Sequence, residues 1–348
     1  MEKDFALACP IPITERKSII MGHGSGGKLT AQLVRDLFVP AFDNEYLRKL
    51  DDQAVFEAGS ARLAFTTDSF VVTPLFFPGG NIGELAVNGT VNDLAMSGAR
   101  PLFLSAAFIM EEGLRMDELS RIVDSMAKAA KAAGVAIVTG DTKVVNRGSA
   151  DKLFITTSGV GLAPNGINIS ASNVRPGDDI IISGSIGDHG MAVMSVREGL
   201  EFEGAILSDT APLYSLVEIM IGAGEVRALR DPTRGGLATS LCEIAAASSV
   251  GIEVESTAVL VREDVKGACE ILGLDPLFVA NEGKLVAFVS HESSALVVEA
   301  MRRTPEGREA RIIGRAVKEH AGMVLLKTEI GGTRVLDLPF TEQLPRIC

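Results

Sequence analysis

The stretch "TTDSFVVTPLFFPGGNIGELAVNGTVNDLAMSGARP", residues 66–101, sets a strand before a helix and places an aspartate in each. The run "ARLAFTTDSFVV" (61–72) reads as a strand with Asp68 inside it or at its end. The run "NIGELAVNGTVNDLAMSGA" (81–99) reads as a helix whose small residues permit close packing, and it contains Asp93. Downstream come a buried strand at 102–110 and an amphipathic helix that aligns Leu119, Ile122, Val123, Met126 and Ala130. Two more strands follow, "VAIVTGDT" (135–142) and "KLFITTSGVGLA" (152–163). Strands and helices mix without a strict βαβ repeat, which predicts an α+β fold.

Upstream, residues 1–20 read as a loosely held arm containing Pro10 and Pro12. The glycine cluster "MGHGSGGKLT" (21–30) leads into "LTAQLVRDLFV", which spaces Leu29, Leu33, Val34 and Leu37 on one helical face. The segment 163–179 is rich in Asn, Ser, Pro and Gly and marks a domain boundary. Beyond it lie the strand "DIIISG" (179–184), a helix from about Met191 and a helix over 237–247. The strands "GIEVES" and "KLVAFVS" come next, then a turn, then "RIIGRAV" and "GMVLLKT". From Asp337 the chain has two prolines and no periodicity, and reads as an exposed, flexible tail ending in "PRIC". The expected organisation is an arm at 1–20, a first domain at 21–165, a second at 175–336 and a tail at 337–348. A chain of 348 residues agrees with two domains of roughly 150 residues each.

Composition narrows the function. Trp is absent and Tyr occurs twice, so no platform for stacking nucleic-acid bases is visible. A net charge of −12 argues against binding a phosphate backbone directly. No run of ~18 apolar residues predicts a membrane span, and the first residues lack a signal-peptide pattern. Cys9, Cys242, Cys269 and Cys348 form no Cys-x-x-Cys pair, so neither a zinc site nor a disulfide framework is expected. A reducing cytoplasm is the expected compartment.

Several stretches carry chemistry. Gly22-x4-Gly27-Lys28 matches the first part of a Walker phosphate loop, but Leu29 stands where the magnesium-binding Ser or Thr belongs. A flexible glycine turn and a mobile lid over phosphates are the two other readings of this loop. Asp52, Asp68, Asp93, Asp141 and Asp231 each sit in or beside an apolar stretch. Any one of them alone reads as a cap or turn residue. Together they point to a hard cation, because a buried carboxylate is costly unless paired or metal-bound. "DPTRGG" places Asp231, Thr233 and Arg234 before two glycines and a helix, which suits either an ordinary capped helix or an anion at its start. Glu282 in "ANEGK" stands at a strand boundary and reads as a turn carboxylate or a site residue. His23 and His189 lie in glycine loops and read as solvent-exposed. Cys242 and Cys269 read as small core residues.

These stretches, together with "VTGDTKVV" (138–145), "GDHG", "NEGKL" and the terminal "PRIC", resemble the HypE family of hydrogenase maturation proteins over nearly the whole chain. The aspartate motifs and "DPTRGG" are shared with the wider aminoimidazole ribonucleotide synthetase superfamily. "PRIC" is the most specific piece.

The resemblance implies two α+β domains, the first dimerising, with ATP between the domains near the dimer interface. It implies magnesium on Asp52, Asp68, Asp93 and Asp231, and nucleotide contacts from Gly24, Gly26, Gly27, Lys28, Asp68, Asn92, Asp141, Thr142 and Thr233. It further implies that Cys348 receives a carbamoyl group from HypF. That group would be dehydrated to a thiocyanate at the expense of ATP, and the cyanide passed to iron on HypC–HypD for [NiFe]-hydrogenase. Within that scheme Glu282 is the candidate base, and Lys143 the candidate for stabilising charge on oxygen or phosphate. Arg346 is placed to offset the α-carboxylate beside the thiol. Two alternatives stay open. One is another ATP-using enzyme such as selenophosphate synthetase, whose reactive residue sits in a glycine loop that here has His23 and no Cys. The other is a non-catalytic scaffold with a docking tail.

Overall fold

The computed structural model describes residues 18–24, 26–200, 205–339, 344 and 346–348. The expected arm lies outside the described residues up to residue 17.

The first domain opens with helices α1 (Lys28–Leu33) and α2 (Val39–Phe42). The expectation of one continuous amphipathic face here is corrected. A wide π-type turn over Val34–Phe38 interrupts the period, so Leu29 is buried while Leu37 is exposed. Strands β1 (Ala54–Ala58) and β2 (Ala61–Phe70) follow, then a two-residue hairpin of β3 (Phe76–Phe77) and β4 (Gly80–Asn81). Helix α3 (Ile82–Ala95), strand β5 (Arg100–Glu111), helix α4 (Met116–Ala132) and strands β6 (Ala136–Val145) and β7 (Leu153–Leu162) complete it. The sheet order is β1-β2-β7-β5-β6, antiparallel except for the parallel β5–β6 pair.

Helix α3 starts where Asn81 Oδ1 accepts a hydrogen bond from the Gly83 amide at 2.9 Å. Its small residues bring it close to its neighbours, as the sequence predicts. A Cβ on Gly83 would stand 2.4 Å from the Ile122 carbonyl of α4, so only glycine fits there. The helices bury one face of the sheet, and the other face exposes Phe65, Phe103 and Ile109.

The second domain runs β8 (Asp179–Ile182), α5 (Asp188–Arg197), α6 (Tyr214–Ala223), β9 (Val226–Arg230), α7 (Gly236–Ser248) and β10 (Gly251–Glu255). It continues with α8 (Glu263–Leu272), β11 (Val286–Val289), α9 (His291–Met301), β12 (Arg311–Val317), β13 (Val324–Lys327) and β14 (Thr333–Leu336). Among the described residues these strands form one sheet in the order β14-β13-β10-β12-β8-β11-β9. The central strands β8 and β11 are buried on both faces, which is why their sequences are unbroken apolar runs. Ile180, Ile182 and Phe288 pack on α7, and Ile181, Ala287 and Val289 pack on α6 and α9.

A third apolar cluster joins the domains. It sets Phe70, Leu85 and Ile155 of the first against Met191, Val265 and Val279 of the second, with Ile347 from the C-terminus. Phe288 is fully buried at the centre of the second core. Phe288→Ala is expected to cost about 3–5 kcal/mol, read as a lower denaturant midpoint at unchanged slope. No helix among the described residues is long and apolar enough to cross a membrane.

Candidate active site

Two loops and a helix deliver carboxylates to one point. Asp52 precedes β1, Asp93 lies in the last turn of α3, and Asp231 follows β9. One oxygen from each lies within 4.8 Å of the others. The Thr66 hydroxyl is 2.8 Å from Asp93 Oδ2 and 2.9 Å from the Asp52 carbonyl, tying β2 to α3 and to the loop before β1. Arg230 forms an ion pair with Asp52. Asp68, near the end of β2, lies outside this triad but within reach of its charge. Burial, then the neighbouring carboxylates Asp231, Asp52 and Asp68, pushes Asp93 well above the usual carboxylate range. Burial and Asp52 push Asp231 up to about 8. So much crowded negative charge in hard oxygen donors fits a divalent cation such as magnesium.

Glu282 sits against this cluster. It is 2% exposed, and its Oε1 has no hydrogen-bond partner among the described residues. Burial raises its proton affinity, with Asp231, Asp68 and Asp209 adding to the effect and Arg234 opposing it. Its backbone is fixed by Asp209 Oδ1, which accepts from the Glu282 amide at 3.0 Å and whose other oxygen pairs with Lys284 at 3.1 Å.

The glycine loop and "DPTRGG" meet here too. Arg234 Nη1 donates to the Gly24 carbonyl at 3.1 Å. Helix α7 begins with Gly235 in a left-handed conformation (φ 78°) and no side-chain cap, next to half-buried Thr233. The Lys28 amide bonds the Pro339 carbonyl at 3.0 Å, and its ammonium pairs with Asp337 at 2.6 Å. That pair is exposed and weak, and it links Lys28 to the C-terminal segment.

Several expectations are corrected. The described end of the tail is docked, not exposed: Ile347 is 3% exposed, and Leu344 and Cys348 pack on the inter-domain cluster. Local periodicity is absent because the binding partners are remote. The Val71 amide donates to the Cys348 carbonyl oxygen at 3.0 Å and the Thr73 amide to that of Arg346 at 3.3 Å. Arg346 turns to Asp151 and the Thr73 hydroxyl instead of screening the thiol. The charge at Cys348 is the largest influence on Arg234, so the terminus lies beside the site. His189 is wholly buried, not solvent-exposed.

Asn92 is held by bonds within the protein. Its side chain bonds the Ala211 carbonyl, the Glu282 carbonyl and the Leu213 amide, at 3.0, 3.2 and 2.8 Å, and braces the two domains. Asp141, Thr142 and Lys143 are exposed on edge strand β6, where Lys143 pairs with Asp141 at 3.0 Å. The row from Asp68 crosses Thr157 and Ala106 to reach Gly140. Three strand spacings make that about 14 Å, so these residues do not join the cluster within one chain. Arg230 and Asp209 escaped sequence reading. An arginine abutting a suspected buried aspartate was the available signal for Arg230.

Comparison with known proteins follows from this geometry. Residues 50–163 match the N-terminal domain of AIR synthase related proteins, and residues 175–327 match their C-terminal domain. The carbamoyl dehydratase HypE of Azotobacter vinelandii is 54% identical over 332 residues, covering 95% of this chain and 97% of that protein. The chain belongs to the HypE family. A HypE–HypF crystal complex superposes with a TM-score of 0.84 at 51% identity, over 88% of this chain and 99% of that one. HypE crystallised with ATP gives 0.81 at 49% identity, over 95% and 100%. The two-domain α+β architecture is thus the HypE fold.

Proposed function

We propose that this chain is an ATP-dependent carbamoyl dehydratase acting on a carbamoyl group carried by its own Cys348. The observation that carries the reading is the docked C-terminus, which brings the charge of Cys348 to Arg234, the same arginine that feels Asp68, Glu282 and Asp93. An amide oxygen is a poor leaving group. Attack of the S-carboxamide oxygen on the γ-phosphorus, with ADP departing and one N–H proton lost, makes it a phosphate ester. Loss of the second N–H proton as phosphate leaves forms the C≡N bond of the thiocyanate.

Glu282 is the base in this scheme. Its burial supplies proton affinity, and Arg234 favours its ionised form. Asp52, Asp68, Asp93 and Asp231 are the residues that would hold magnesium. When bound, the ion neutralises polyphosphate charge. Gly24, Gly26, Gly27 and Thr233 line the phosphate side of the same site. HypF would load the carbamoyl group and HypC–HypD would take the cyanide to iron for [NiFe]-hydrogenase, in the cytoplasm.

Asp141, Thr142 and Lys143 enter the scheme through a second copy. The exposed apolar face of the first domain is large enough in side-chain terms to want a partner, and its edge strand β6 carries these residues outward. Light scattering is expected to give about twice the 36.6 kDa chain mass. Phe103→Asp, which puts a charge on that face, is expected to yield monomer with lost turnover. A monomeric parent that still turns over removes the dimer.

Intact mass of the protein after incubation with HypF, carbamoyl phosphate and ATP tests the reaction. A carbamoyl adduct that then loses the mass of one water is expected. An adduct that persists unchanged in ATP rejects dehydration.

A further inference from the structure

The motif "GDHG" has no part in the chemistry above, yet its histidine is among the most buried polar residues of the chain. We propose that His189, held by Ser208, is the latch that positions the Ile347–Cys348 peptide in the cleft. The proposal rests on the reading that Cys348 is the carrier.

The docked terminus runs antiparallel to residues 71–73, with Val71 opposite Cys348 and Thr73 opposite Arg346. In such a pairing alternate carbonyls face the partner strand and the one between points away. The Arg346 carbonyl is met by the Thr73 amide at 3.3 Å and by Arg197 Nη2 at 2.7 Å, and the Cys348 carbonyl oxygen by the Val71 amide. The Ile347 carbonyl faces the other way, in a buried setting where an unmet acceptor is costly. His189 Nε2 stands 3.0 Å from it.

The ring has one way to make that bond. A carbonyl only accepts, so Nε2 carries the proton. Nδ1 of the neutral ring is then an acceptor, and Ser208 Oγ lies 2.8 Å from it and donates. The Thr210 amide donates to Ser208 Oγ at 3.2 Å, which leaves the hydroxyl proton for the ring. Phe77 meets the imidazole edge-on at 5.3 Å between centroids and fixes its plane. Burial favours the neutral ring that this chain of bonds requires. Gly190 completes the receptor, since a Cβ there would crowd Val279 and Leu344. The peptide so held is the one immediately before the thiol-bearing residue. His189 is therefore a positioning residue: it sets where the sulfur points without touching it.

Alkylation of the purified full-length protein with iodoacetamide, mapped by mass spectrometry, reads the latch directly. His189→Phe keeps the ring volume and loses the N–H. It is expected to raise Cys348 alkylation about fivefold, the weight of one ordinary buried hydrogen bond. Cys242 and Cys269, reporters of an intact core, are expected to react as in the parent. His189→Gln, whose amide N–H stands near the Nε2 position, is expected to restore protection. Ser208→Ala is expected to raise Cys348 alkylation by a smaller factor. Unchanged Cys348 reactivity in His189→Phe, or no rescue by Gln with the core thiols unmoved, overturns the proposal. Should His189→Phe expose all three thiols, Ser208→Ala decides: parent-like Cys348 reactivity overturns the latch. In a single turnover of preloaded protein, His189→Phe is expected to slow dehydration while leaving the KM for ATP unchanged. The alkylation arm uses neither HypF nor ATP, so an intact latch with no carbamoyl on Cys348 would sink the functional reading and leave the latch standing.

Discussion

Cys348→Ala is expected to abolish carbamoyl loading and thiocyanate formation while leaving ATP binding intact. The side chain is only half-buried against the inter-domain cluster, so losing its sulfur is expected to cost about 1 kcal/mol or less. Anchoring of the terminus survives, because it runs through backbone carbonyls and the Ile347 side chain. Cys269→Ala is expected to behave in the opposite way: a fully buried thiol leaves a cavity, costs about 1–2 kcal/mol and spares the chemistry. Electrostatics also disfavours the two other described thiols. Burial pushes Cys269 up to about 11 and Cys242 up to about 12, so neither offers a thiolate near neutral pH. Mass mapping after loading checks this. A carbamoyl group on Cys242 or Cys269, or full activity in Cys348→Ala, would remove the terminal thiol from the mechanism.

What could be read from the chain follows the range of the interactions. Strands such as β2 and β7 and helices such as α3 and α4 announce themselves through period 2, period 3.6 and small-residue spacing, all local signals. The aspartates were recognisable as a set, because each is costly in its apolar surroundings. Which of them converge was not, since that depends on strand order. Asp68 and Asp141 look alike in sequence, yet they stand on strands at opposite sides of the sheet. The docked terminus was unreadable for the same reason. Its partners Val71, Thr73, His189 and Arg197 lie far away in sequence. His189 shows the cost of local reading: flanking glycines suggest an exposed loop, whereas Gly190 leaves room for Val279 and Leu344, and Phe77 packs edge-on against the ring. Helices α6 and α9 passed unrecognised among the sequence signals, and of α8 only the apolar helical pattern around Cys269 was legible, part of a buried stripe with Val265 and Ala268.

Asp93→Asn is expected to lower magnesium-dependent ATP hydrolysis at least about 100-fold, since even indirect partners of a metal site cost 10–100-fold. The same substitution is expected to make the nucleotide-free protein more stable. The shape of the site survives: an amide oxygen can still accept from the Thr66 hydroxyl, now at 2.8 Å from Asp93 Oδ2. What disappears is an acid whose ionisation the fold opposes, through burial and through carboxylate oxygens of Asp52 and Asp231 within 4.8 Å. Removing like-charge crowding relieves the folded state, and each kcal/mol gained raises the melting midpoint by roughly 2–4 °C in a domain of this size. Magnesium and ATP together are expected to raise the midpoint of the parent and to leave that of the variant almost unmoved, because a ligand stabilises only the state that binds it. The site is thus built against the stability of the empty protein and in favour of the loaded one. Differential scanning fluorimetry with and without magnesium-ATP, beside a phosphate-release assay, measures both halves. Parent-like hydrolysis in Asp93→Asn would show that the triad does not serve the nucleotide. A lower midpoint in the empty variant would show that its charge was compensated in the fold all along.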